Sequence, residues 1–82
     1  MIQISILTPD KSIYEGQVQS VTVPGSSGSF QILKDHAPII STLVDGTVQL
    51  QTGNTEQRFE IKGGVVEVSE NKVILLAEGV ED

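Results

Sequence analysis

Apolar and polar positions alternate along most of this chain. Ile2, Ile4 and Ile6 share one phase, with Gln3 and Ser5 in the other, until Thr8-Pro9-Asp10 ends the run. A period of two marks a strand with one buried face. The segment from Ser12 to Gly16 reads as a connection to the next strand, which runs from Gln17 to Val23. Val21 and Val23 alternate cleanly there, while Val18 falls in the opposite phase, predicting a bulge or a strand that serves two faces. Pro24 to Gly28 is a turn, and Phe30 and Ile32 lie in phase in a short strand after it. Pro38 holds Ala37 extended, which excludes a long helix around His36. Ile39, Ile40 and Leu43 are expected to face the core as anchors around a rim. Asp45-Gly46 turns the chain into a hairpin with Val48 and Leu50 on one arm, a tip at Thr52 to Thr55, and Phe59 and Ile61 inward on the other. Gly63-Gly64 predicts a bend or a close backbone approach. A last hairpin turns at Glu70-Asn71, with Val66 and Val68 in one phase before it and Val73, Leu75 and Ala77 in one phase after it.

Strands thus recur at intervals of about eight to twelve residues, with no segment of period 3.6 long enough for a stable helix. The expected class is all-β, either two antiparallel sheets packed face to face or a small barrel. Composition agrees: 10 Val, 9 Ile and 6 Thr stand against two Ala. Eighty-two residues make one domain, taken as residues 1–82, and leave no room for a second substrate domain. Eleven acidic and five basic residues give a net charge of −6, which argues against nucleic acid or an anionic lipid surface as a partner. The apolar runs fall short of the roughly 20 residues a membrane-spanning helix needs.

The chemistry available is narrow. Without cysteine there are no disulfides, thiolate metal sites or cysteine nucleophiles. His36 is the lone histidine, and neighbouring residues of an extended chain point apart, so Asp35 does not complete a metal site with it. The serines lie outside any G-x-S-x-G elbow. Gly25-Ser26-Ser27-Gly28 lacks the Gly-Lys-Ser/Thr ending of a phosphate-binding loop and reads as a turn with room for a partner contact. No catalytic, cofactor or metal residues are assigned. One rival class is a biotinyl or lipoyl carrier domain, which displays a modified lysine on a hairpin tip. Lys11 and Lys72 lie near turns, but without that domain's usual flanking residues or its internal repeat.

The run from Thr8 to Leu50, followed by Phe59 to Gly79, resembles the family of F-type ATP synthase epsilon subunits, specifically their N-terminal β-sandwich. The resemblance rests on His36-Ala37-Pro38 followed by Ile39-Ile40, placed after Pro24-Gly25 and Gly28, with Gly16, Gly46 and Gly63-Gly64 in support. It implies an antiparallel sandwich of about ten short strands. It further implies a non-catalytic rotor subunit of the central stalk, coupling the gamma subunit to the membrane c ring during ATP synthesis and needing no cofactor. Such a subunit is a monomer when isolated and occurs once per complex. It sits as a peripheral protein on the cytoplasmic face of a bacterial inner membrane, or on a thylakoid or other energy-transducing membrane, without direct lipid insertion. Position by position, Thr8, His36 and Ser41 match residues that face gamma, and Ser26, Ser27, Gly28 and Ser29 match the loop that meets the c ring.

This chain departs from the family pattern in places. Leu33-Lys34-Asp35 stands where many members have a Pro-Gly turn before His-Ala-Pro, and Ser27 and Ser29 stand where acidic residues are common. The sequence stops at Asp82, where most relatives continue into a C-terminal helical hairpin. The expectation is therefore a chain without hairpin-mediated inhibition and without ATP binding.

Overall fold

The computed structural model describes residues 1–81 and contains eight strands and no helix among them: β1 (Ile2–Leu7), β2 (Ser12–Val18), β3 (Ser20–Val23), β4 (Phe30–Ile32), β5 (Ile39–Leu43), β6 (Gly46–Thr52), β7 (Thr55–Ser69) and β8 (Lys72–Glu81). They form one hydrogen-bonded sheet in the order β2-β1-β8-β7-β6-β3-β4, with β5 also paired to β7. The sheet folds on itself because its two longest strands belong to both layers. The first half of β7 pairs with β6 from Thr55 to Ile61, and its second half pairs with β5 from Gly64 to Val68. β8 follows β7 along its other edge through both halves. One layer is β2-β1-β8-β7-β5 and the other is β8-β7-β6-β3-β4. Eight strands therefore supply ten segments, which reconciles the observed count with the ten expected.

The bend in β7 is made by Gly63 and Gly64, with φ of 48° and 137°. A Cβ on Gly64 would lie 2.1 Å from the Leu76 carbonyl oxygen and 3.0 Å from Ala77 Cα. Both readings of the glycine pair, a bend and a close backbone approach, hold at this point.

Phase decides burial elsewhere. Ile2, Ile4 and Ile6 on β1, Val66 and Val68 on β7, and Val73, Leu75 and Ala77 on β8 are buried together with Val48 and Leu50 from the opposite layer. Tyr14 packs on Phe59 with ring centroids 5.7 Å apart. The slip at Val18 is a change of layer. β2 ends at Val18, buried opposite Ile2, and β3 begins at Ser20 in the second layer, where Gln19 N–H bonds the Gln51 carbonyl at 2.7 Å.

The structure corrects three expectations. Ser12 to Gly16 is not a connection but most of β2, paired along β1. One strand pair, β1 with β8, is parallel: the strands at the two ends of the chain meet, and the intervening layer serves as the crossover. Glu78 to Glu81 continue β8, with Glu78 and Glu81 exposed; Asp82 lies outside the described residues. Finally, of the three expected core anchors only Leu43 is buried. Ile40 pairs with Glu67 on the outer face and is 72% exposed, and Ile39, on the inner face but at the end of an edge strand, is 38% exposed.

Candidate functional site

The residues matched to partner contacts all lie on or beside the β2-β1-β8-β7-β5 layer. Thr8 follows β1. Its hydroxyl closes the local turn, donating to the Lys11 carbonyl at 3.2 Å and accepting from Lys11 N–H at 3.3 Å. Ser41 sits mid-strand in β5, half-buried on the inner phase opposite Val66, with its hydroxyl donating to the Thr42 carbonyl at 3.2 Å. Three strand spacings of about 4.8 Å separate the β1 and β5 positions. Thr8 and Ser41 thus share a layer without touching.

His36 stands apart, on the Leu33–Pro38 connection that carries the chain from one layer to the other. Its Nδ1 lies 2.6 Å from the Ala37 carbonyl oxygen. A carbonyl only accepts, so Nδ1 carries the proton and Nε2 is left for an outside contact. The ring also stacks loosely on Phe30, with centroids 6.5 Å apart. The turn that replaces Pro-Gly here is centred on Lys34-Asp35, closed by His36 N–H bonding the Leu33 carbonyl at 3.1 Å. Asp35 takes φ of 65°, at the turn position where glycine or asparagine is usual.

The Ser26–Ser29 turn is fastened to β5. Ser26 N–H bonds the Thr42 carbonyl at 2.9 Å, the Ser26 and Thr42 hydroxyls are 2.5 Å apart, and Gly25 bridges Leu43. Gly28 N–H closes the turn on the Gly25 carbonyl at 3.0 Å. Ser26, Ser27, Gly28 and Ser29 are exposed, and the Ser27 and Ser29 hydroxyls have no hydrogen-bond partner among the described residues. The turn matched to the c ring and the strand matched to gamma are therefore one connected piece.

Between them lies a surface that sequence reasoning missed. The ladder aligns Leu7, Leu76, Val65 and Thr42 in one row across the outer face of the layer, with Ser5, Ile74, Glu67 and Ile40 in the next row but one. Leu76 is 52% exposed, and Val65, Ile74 and Val44 are also exposed. With Thr8, Pro9 and Val44, the row from Leu7 to Thr42 lines an open depression of about 820 Å³. The signal was present in the sequence: Val73-Ile74-Leu75-Leu76-Ala77 is apolar in both phases, the pattern of a strand covered on both sides. Among the described residues only one side is covered.

The remaining charges lie on the surface. Arg58 bonds Glu56 at 2.7 Å, and Lys62 bonds Glu81 at 2.9 Å. The hydrogen bond to Glu81, followed by the charges of Glu81 and Asp45, raises the Lys62 pKa above its ordinary 10.5. Among the described residues no group of three His, Asp or Glu side chains converges as a metal site would require. Lys72, one of the lysines a carrier domain would display, is paired within β8 rather than set at a tip.

Residues 1–82 match the family model for the ATP synthase delta/epsilon chain β-sandwich domain. The chain belongs to that family. It is 47% identical over 79 residues to the ATP synthase epsilon chain of Chlorobium limicola, covering 95% of this chain and 90% of that protein. It is 38% identical to the epsilon chain of Leptospira borgpetersenii over 77 residues, 94% of this chain and 61% of that longer protein. The fold matches a chain in the cryo-EM structure of the Euglena gracilis mitochondrial ATP synthase with a TM-score of 0.91 at 19% identity, covering 98% of this chain and 52% of that one. Family membership extends over the whole sandwich, including the β5 strand, the Ser26 turn and the His36 connection.

Proposed function

We propose that this chain is a non-catalytic rotor subunit of a proton- or ion-translocating F-type ATP synthase, joining the gamma subunit to the c ring in the central stalk. The observation that carries the reading is the apolar outer face of the β2-β1-β8-β7-β5 layer, continuous through Thr42 with the Ser26 turn. A subunit that transmits torque without chemistry needs two adjoining, rigidly connected contact surfaces. One is the outer apolar row with Thr8 at its border, flanked by His36 on the Leu33–Pro38 connection and by Ser41 on the inner side of the β5 edge, a mixed composition suited to a protein interface. The other is a neutral polar turn, Ser26, Ser27, Gly28 and Ser29, suited to hydrogen bonding with polar loops of the ring. Membership in the epsilon-chain family, with a relative aligned over nine tenths of its length, supports this assignment. So does the likeness to a chain of an assembly described as OSCP, F1 and c ring.

No helix among the described residues is long and apolar enough to cross a membrane. Attachment through protein contacts alone would place the chain peripherally, on the cytoplasmic face of a bacterial inner membrane, once per complex. Co-purification of the native protein from membranes, with partners identified by mass, tests the reading. Recovery with gamma and the c ring at an unmodified mass is expected. Recovery without rotor subunits, or with an added biotin or lipoate mass, would overturn it.

A further inference from the structure

The β7–β8 hairpin reaches across to the connection that bears His36. Its two turn residues, Glu70 and Asn71, have φ of 48° and 61°, as a two-residue type I′ turn requires. The left-handed turn projects the Asn71 amide sideways onto Asp35. Asn71 Oδ1 accepts from Asp35 N–H at 2.6 Å, and Asn71 Nδ2 donates to Asp35 Oδ1 at 3.1 Å. The Asn71 carbonyl accepts from Gln3 N–H at 2.9 Å. One residue thus ties together the start of β1, the β7–β8 hairpin and the Leu33–Pro38 connection.

The connection has few other holds. Leu33, Lys34, Asp35, Ala37 and Pro38 are exposed, and among the described residues the segment's own holds are the Leu33–His36 turn bond, the restriction of Ala37 by Pro38 and the His36 contacts already described. Asp35 also occupies a left-handed conformation that a side-chain-bearing residue adopts at some cost, so the turn needs outside support to persist. The bidentate bond from Asn71 supplies that support 36 positions away in sequence. It takes the place of the Pro-Gly pair that would fix such a turn locally.

We infer that Asn71 is a positioning residue for the partner interface: by clasping Asp35 it holds the His36 connection in its docking conformation. This rests on the reading that His36 faces gamma. A partner that recognises one conformer binds in proportion to that conformer's population. Releasing the clasp should therefore weaken binding without touching any group at the interface.

The experiment uses the full chain and the gamma subunit of the same synthase. Asn71→Asp keeps an acceptor for Asp35 N–H but removes the donor and sets two carboxylates against each other. Exchange of the Asp35 amide hydrogen should accelerate about tenfold, and gamma should bind about tenfold more weakly, with Asp35→Asn/Asn71→Asp restoring both. The double variant has the charge of the wild type and the same pair of groups with their places exchanged, so restoration identifies the clasp rather than a general effect on folding. Unchanged Asp35 exchange in Asn71→Asp, or failure of the double variant to restore it, would overturn the clasp. Accelerated exchange with unchanged gamma binding would overturn its role in docking. His36→Ala is measured alongside: if it alone leaves gamma binding intact, the placement of His36 at the interface is wrong, whereas the exchange data still decide the clasp.

Discussion

Gly64→Ala tests the hinge on which the two layers depend. Two costs combine at this site. A φ of 137° lies where residues with a side chain rarely go, at about 1–3 kcal/mol. The added methyl would also sit 2.1 Å from the Leu76 carbonyl oxygen, a backbone atom that cannot rotate away, and forced overpacking of this kind costs roughly 1–3 kcal/mol more. Reduced freedom of the unfolded chain returns about 0.4–1 kcal/mol. The net loss is about 1–5.6 kcal/mol, centred on roughly 3 kcal/mol. A domain of 82 residues has a total stability of about 4–12 kcal/mol, so the variant should be close to unfolding. Gly53→Ala is the control. That glycine also has positive φ, 58°, but its side-chain position is open, so only the conformational cost of about 1 kcal/mol applies. Urea unfolding followed by circular dichroism reads both variants, with the slope held constant. A Gly64→Ala variant within about 1 kcal/mol of wild type, or no worse than Gly53→Ala, would refute the hinge argument.

Two further outcomes follow from side-chain placement. Leu75 is fully buried and its neighbour Leu76 is 52% exposed, so Leu75→Ala should lose about 2–5 kcal/mol and Leu76→Ala about 0.5 kcal/mol, read by the same urea titration. Equal losses would mean that the outer face is covered within the chain. The pH dependence of the Lys62–Glu81 pair should show only at alkaline pH. Its raised folded pKa makes the contribution complete below about 10.5 and lost as pH climbs through the higher folded value. Urea midpoints of wild type and Lys62→Met should therefore run parallel from about pH 6 to 9, with the wild type falling more steeply above about pH 10.5.

Local pattern carried the strands whose alternation matched a single buried face. Ile2, Ile4 and Ile6 and the arms around Glu70-Asn71 lie as their periodicity predicts. It failed on the edge strands, where one side of the strand has no paired neighbour. Ser12 to Gly16 has too few apolar residues to read as a strand, because β2 is an edge of its layer and much of it faces solvent. Ile39 and Ile40 read as core because they are adjacent and apolar, yet adjacent residues of a strand point to opposite faces, and Ile40 falls outside. The candidate contacts were legible as positions in a motif. The outer apolar row that links them arises from strand pairing, since Leu7, Thr42, Val65 and Leu76 become neighbours only when β1, β5, β7 and β8 assemble. The Asp35–Asn71 clasp was hidden for the same reason, as nothing local to either residue names the other.

On the proposed reading the β2-β1-β8-β7-β5 outer face binds the stalk while the opposite outer face does not. Ile40 and Gln49 lie on these two faces, Ile40 largely exposed on β5 and Gln49 bonded to Glu56 on the surface of β6. The decisive measurement is the affinity of the purified chain for gamma after Ile40→Glu and after Gln49→Lys, with melting curves for each. Both variants should stay folded, and only Ile40→Glu should bind gamma at least about tenfold more weakly, a loss of about 1.4 kcal/mol. Equal affinity of a folded Ile40→Glu variant and the wild type would contradict that reading.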